Sequence, residues 1–171
     1  ADNALKDFEW CQDFVGARFH KLVYHGGHSV KRSVQTINAS GSELVNALFT
    51  KAKALGVKFS FTTKMDRLVV SPEGRIVGLE IRKGYKFPDN KSGTVSFVKA
   101  SKAVILAAGG FSQNKQMRQI HDPRISDSYE STNHPGSTGE VLLAACKIGA
   151  MDVQMDWIQM GPWTSPDEKG F

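Results

Sequence analysis

The sequence predicts an α/β fold that contains a small antiparallel β meander. Three observations carry that reading. A well-patterned helix occupies residues 43–55. Period-two strands with turn residues between them fill 66–99. An apolar run at 103–108 ends in paired glycines.

The elements follow in order. Leu5, Phe8, Cys11 and Val15 recur at helical spacing, and Gly16 supplies a stop, so residues 1–15 read as a helix. Residues 17–25 are short and mixed, and Gly26-Gly27 forces a turn. Ser40 stands three residues before Glu43, the capping-box pattern, and opens the clearest helix of the chain. Leu44, Leu48 and Leu55 line one face of it, and Gly56 ends it. Residues 57–62 alternate and read as a strand. Residues 66–71 and 76–83 read as two more, joined by Pro72-Glu73-Gly74. A polar turn at 88–93 leads to a further strand at 94–99. Residues 103–108 are apolar on both faces, which suits a central, buried strand of the parallel kind. A short helix at 112–120, a polar loop at 122–129 and a second clear helix at 139–148, stopped by Gly149, come next. Residues 151–160 alternate in part and read as a strand. Residues 163–171 read as loop.

The composition narrows the function classes. The chain has 171 residues, 40% hydrophobic and 23% charged, which is globular and neither fibrous nor disordered. No run approaches the length of a membrane span, and no signal peptide opens the chain. Two cysteines, Cys11 and Cys146, build neither a disulfide framework nor a zinc site. The 22 basic and 17 acidic residues leave a net charge of +5. The basic residues are dispersed, so no nucleic-acid stripe is expected, and an anionic small ligand suits the balance. There is no nucleophile elbow, P-loop or Cys-x-x-Cys, and no carboxylate pair marks a hydrolase site.

Three segments are candidate sites. Ala107-Ala108-Gly109-Gly110-Phe111 ends an apolar strand in glycines, which lets a ligand approach the backbone closely; the same residues also suit a plain tight turn. Asn133-His134-Pro135-Gly136-Ser137-Thr138-Gly139-Glu140 shapes a loop before a helix, either as an anion site or as an ordinary capped loop. His25 and His28 have metal-ligand types, but no second ligand cluster accompanies them.

Four features in order resemble one family. They are Gly-Gly-His-Ser-Val-Lys-Arg at 26–32, the meander with Pro-Glu-Gly-Arg-Ile-Val-Gly, Val-Ile-Leu-Ala-Ala-Gly-Gly-Phe at 104–111, and Ser-Thr-Asn-His-Pro-Gly-Ser-Thr-Gly-Glu at 131–140. Met155-Asp156-Trp157-Ile158-Gln159 continues the match. The chain resembles an internal stretch of the flavoprotein subunit of the fumarate reductase and succinate dehydrogenase family, nearest the flavocytochrome c and urocanate-reducing types. The resemblance implies part of a Rossmann-like, FAD-binding domain of the glutathione-reductase type. Residues 1–155 would be the middle of that domain and 156–171 the start of a capping domain.

The resemblance also implies roles. Met65, Ala108, Gly109, Gly110, Thr132, Asn133 and Glu140 fall where family members contact FAD. Glu140 replaces the family's aspartate with a longer arm. Gly161 stands where the family's Gln-x-His-Pro run places a substrate-binding histidine, and Trp163 follows it. A glycine offers no side chain to a second carboxylate, so a monocarboxylate with an aromatic or imidazole tail is favoured over fumarate. The implied reaction is reduction of an α,β-unsaturated carboxylate by hydride from flavin N5. The proton donor would lie outside this chain, so no catalytic residue is assigned within it, and the chain alone is expected to be inactive. An electron-donor domain or protein would be a partner. The protein is expected to be soluble, in periplasm or cytoplasm. A steroid or acyl dehydrogenase of the same superfamily and a non-enzymatic binding module are the alternatives.

Overall fold

A computed structural model describes residues 2–24 and 27–161. The chain divides into two compact units, residues 1–60 and 61–171.

In the first unit, α1 (Ala4–Glu9) runs directly into a π-helical stretch, Trp10–Val15. Gly16, at φ +84°, ends it, as the sequence predicts. Val15 and Ala17 are buried beside this turn. β1 (Phe19–Val23) pairs antiparallel with β2 (Ser33–Thr36), with a register shift between Phe19 and Lys21. The Phe8 ring packs 5.1 Å from Phe19. α2 (Ser42–Ala54) confirms the clearest helix of the sequence.

Its start corrects the expected capping box. The N-cap is Gly41, without a side-chain cap. Ala39 sits at φ +54° and turns the chain just ahead of the helix. Glu43 does not fold back onto Ser40. Its carboxylate takes the Arg18 guanidinium, with Nε 2.9 Å from Oε1, and also the Arg18 backbone N–H. A charged partner outcompetes a neutral local amide for a carboxylate. The Arg18 hydrogen bond and charge accordingly hold the Glu43 carboxyl below its ordinary range.

In the second unit, β3 (Thr63–Val70), β4 (Ile76–Lys83) and β5 (Thr94–Lys99) form one antiparallel sheet in sequence order. This is the predicted meander. Gly74, at φ +83°, makes the first turn, and its N–H donates to the Ser71 carbonyl. Leu68, Gly78 and Ile81 are the buried residues of the sheet. The opposite charges Arg67–Glu80 and Arg82–Asp66 pair across β3 and β4, at 2.6 and 3.0 Å. Two short helices follow, α3 (Lys115–His121) and α4 (Glu140–Cys146). Met117, Ile125 and Arg118 are buried there.

Three expected strands do not form. Residues 57–62 form no strand, and Thr62, at φ +48°, turns the chain just before β3. Residues 151–160 are interrupted by Gln154 at φ +53°, whose carbonyl accepts from the Trp157 N–H in a turn. Residues 103–108, expected at the centre of a sheet, have no partner strand among the described residues. The ladder ends where the Ala100 N–H meets the Val77 carbonyl. Ile105 stays 89% exposed. Among the described residues no helix is long and apolar enough to cross a membrane.

Candidate functional site

The carboxyl end of the 103–108 run lies against the loop that leads into α4. Ala108, Gly109 and Gly110 form one wall of a small cleft, and Gly136, Thr138, Gly139, Glu140 and Val141 form the other. The cleft measures about 50 Å³. Gly109 takes φ +78°, and a Cβ added at Gly109 or Gly110 would meet nothing within 4 Å. The backbone there is open to close approach.

Two residues that the sequence reading did not single out hold this arrangement. Gln113 Nε2 donates to the Ser131 and Asn133 carbonyls, and the Gln113 N–H donates to the Ser137 carbonyl at 2.9 Å. Asn114 caps α3 by accepting the Met117 N–H at 2.9 Å, while its Nδ2 donates to the Thr138 carbonyl at 3.0 Å. An asparagine just ahead of a helix is the one signal in the sequence that could have found this clasp.

The glycine at 139 is sterically required. It sits at φ +75°, and a Cβ there would lie 2.7 Å from Phe111 Cβ and 2.9 Å from Met117 Sδ. The loop backbone therefore packs directly against the side chains of Phe111 and Met117. Neither Ser137 nor Thr138 caps α4; the N-cap position is Gly139.

The remaining expected cofactor positions distribute as follows. Met65 lies half-buried on β3, opposite Ile81. Its neighbour Lys64 reaches Glu140, with Nζ 3.2 Å from Oε1, so strand and cleft are joined. Asn133 Nδ2 donates to Ser112 Oγ at 2.8 Å, which turns its amide toward the segment after Gly110. Thr132 is exposed beside it. Ala108, Gly109, Gly110 and Glu140 thus share one cleft. Asn133 is tied to that cleft's wall, and Met65 is one residue from its link to β3.

Gly161 is exposed, and a Cβ there would meet nothing within 4 Å. Its neighbour Met160 lines a wider cleft of about 630 Å³ with Asp122, Arg124, Tyr129 and Trp157. The Arg124 guanidinium, with Nε 2.8 Å from Asp122, holds that carboxyl below its ordinary range. Trp163 and His25 lie outside the described residues. Among the described residues no group of three or more His, Cys, Asp or Glu could hold a metal ion.

The profile of the FAD binding domain family matches residues 2–171. The acrylate reductase flavoprotein subunit of Shewanella woodyi is 37% identical over 172 residues, covering 100% of this chain and 34% of that protein. The urocanate reductase of Eggerthella lenta is 39% identical over 140 residues, covering 81% of this chain and 22% of that protein. Among solved structures, the open conformation of a flavocytochrome c3 fumarate reductase superposes with a TM-score of 0.82 at 28% identity, over 93% of this chain and 27% of that one. A 3-ketosteroid-Δ4-(5α)-dehydrogenase shares the fold, with a TM-score of 0.74 at 22% identity. The chain spans about a third of the first relative and less of the second. With a match along nearly its whole length, this chain belongs to the FAD-binding domain family.

Proposed function

We propose that the chain is an internal part of a flavoprotein that reduces the C=C bond of an unsaturated monocarboxylate. Residues 1–155 belong to the FAD domain in this reading, and 156–171 begin the capping domain. One observation carries it: Gly109 and Gly110 offer bare backbone to a ligand across from the Gly136–Val141 wall. The full-length family match supports FAD as that ligand.

FAD held here, once reduced by an electron donor, would supply the hydride for one alkene carbon. This chain's residues bind and orient. Gly109 and Gly110 allow approach without a side chain in the way. Gln113 and Asn114 fix the opposing wall by hydrogen bonds to its carbonyls, so the cleft is formed before a ligand arrives. Glu140 places an acceptor at the rim, and Thr132 and Asn133 are the further proposed cofactor contacts. The proton for the second alkene carbon comes from a residue outside this chain.

The monocarboxylate preference rests on Gly161. A residue without a side chain gives a second carboxylate no hydrogen bond, and a buried, unpaired carboxylate is expensive. Acrylate and urocanate, named for the two relatives above, each carry one carboxylate. Trp163 is the proposed apolar contact for a substrate tail. The experiment is a reductase assay of the full-length protein with an artificial electron donor. Acrylate, urocanate, cinnamate and fumarate are the substrates. A kcat/KM at least tenfold higher on one of the monocarboxylates than on fumarate is expected. A preference for fumarate would overturn the role given to Gly161.

A further inference from the structure

Lys64 is not among the residues carried over from the family, yet it is the charged group that ties three elements of the second unit together. It sits on β3 beside Met65, with a side chain only 16% exposed. Its Nζ donates to Asn90 Oδ1 at 2.6 Å and to Glu140 Oε1 at 3.2 Å. It also lies 5.3 Å from the centre of the Tyr85 ring. Tyr85 Oη donates to the same Asn90 oxygen at 3.3 Å. A mostly buried ammonium thus has a full set of partners, and only one of them carries a formal charge.

The consequence falls on Glu140. Its side chain is 48% exposed, and its arm has three rotatable bonds. Without a partner it would sample many positions at the mouth of the cleft. Lys64 holds Oε1, while Oε2 accepts no hydrogen bond within the described residues. A carboxylate oxygen held in this way accepts from a hydroxyl or an N–H. It repels a phosphate. The flavin nucleotide offers all three kinds of group, so this corner of the cleft selects among them.

We propose that Lys64 is a positioning residue. It aims the free oxygen of Glu140 at a hydroxyl or N–H donor of the bound flavin nucleotide, and its charge offsets the carboxylate beside an anionic cofactor. The inference rests on the flavin reading and adds to it a residue and a polarity: the group meeting Glu140 is a donor and not a phosphate oxygen. The Asn90 and Tyr85 contacts make the turn between β4 and β5 part of the same device.

The test is a flavin titration of the full-length protein, followed by fluorescence, with FAD as the probe. Lys64→Met is expected to raise the Kd by about tenfold, as expected when a charge-assisted hydrogen bond loses its geometry. Glu140→Gln should raise it by a similar factor, and the double variant should be no weaker than Glu140→Gln alone. Lys64→Arg should bind within about threefold of wild type, a rescue that mere loss of packing would not give. Asn90→Ala removes one anchor and keeps the fold, so it stands in if Lys64→Met is unstable; a two- to threefold rise is expected from it. Wild-type Kd in Lys64→Met and Asn90→Ala, or effects of Lys64→Met and Glu140→Gln that multiply, would overturn the inference and leave the flavin reading intact. A wild-type protein that takes up no FAD would overturn both, and is distinguished by that first titration.

Discussion

Substituting Gly139 by alanine separates steric need from mere preference for glycine. The new Cβ would lie 2.7 Å from Phe111 Cβ and 2.9 Å from Met117 Sδ. Relaxed carbon contacts lie near 3.5–4.0 Å, so the loop or the start of α3 must retreat by roughly 1 Å. Overpacking of that kind costs about 1–3 kcal/mol. The backbone is at φ +75°, which costs alanine a further ~1–2 kcal/mol. The total is about 2–5 kcal/mol. For a chain of this size each kcal/mol lowers Tm by roughly 2–4 °C, so a fall of about 4–20 °C is expected. The assay is reversible urea unfolding, backed by a thermal scan. Two controls calibrate it. Gly109 shares a positive φ but has open space around it, so Gly109→Ala should lose only the backbone part, ~1–2 kcal/mol. Gly161 has neither feature, and Gly161→Ala should stay within about 0.5 kcal/mol of wild type. If Gly139→Ala costs no more than Gly109→Ala, the packing of the loop on Phe111 and Met117 is not as tight as described.

Further outcomes can be checked separately. Gln113→Ala removes two side-chain bonds to the 131–133 carbonyls, about 1 kcal/mol each, so amide exchange in the 131–137 loop should quicken by roughly 5–30-fold; unchanged exchange would remove Gln113 from the clasp. Glu43 should titrate below the ordinary carboxylate range by NMR, and Arg18→Ala should return it there. Because the folded value is depressed, the pair's contribution is present above the unfolded carboxylate value. It is lost as pH falls through the folded one. A Glu43 midpoint unaffected by Arg18→Ala would refute the pairing. In the full-length protein, Gly161→His should raise turnover of fumarate relative to acrylate, since the space is open; no change in the ratio would detach Gly161 from substrate choice.

The sequence was legible where partners are close along the chain. β4 and β5 fall on the residues predicted, 76–83 and 94–99, because each pairs with its neighbour in sequence and polar turn residues announce the connections. α2 was legible from its period, although Val45, Leu48 and Leu55 remain exposed, so the period revealed a face and not what covers it. The strands expected at 57–62, 103–108 and 151–160 were misread for the same reason in reverse. Alternation or apolarity shows that a segment could pair, but a strand exists only where a neighbour supplies the ladder. β2 was missed because Ser33–Thr36 is short and half polar, and only its pairing with β1 makes it a strand. At the site, the glycines and the 131–140 loop were readable as residue types. The clasp by Gln113 and Asn114 was not, since its bonds run from side chains to carbonyls about 20 residues away. The capping box failed because Arg18, 25 residues upstream, reaches Glu43.

The unpaired run at 103–108 has a bearing on how the protein can be handled. An apolar segment that pairs with no strand among the described residues is a template for strand addition by another copy. Ile105 is its most exposed point. The hazard is bracketed: Lys99 and Lys102 place charge just ahead of it, and Gly109-Gly110 end the run just behind. Those flanks act as gatekeepers and limit the sticky stretch to residues 103–108. Aggregation during expression should therefore trace to this window, and a single Ile105→Lys replacement should raise the soluble yield more than any comparable change on the exposed face of α2.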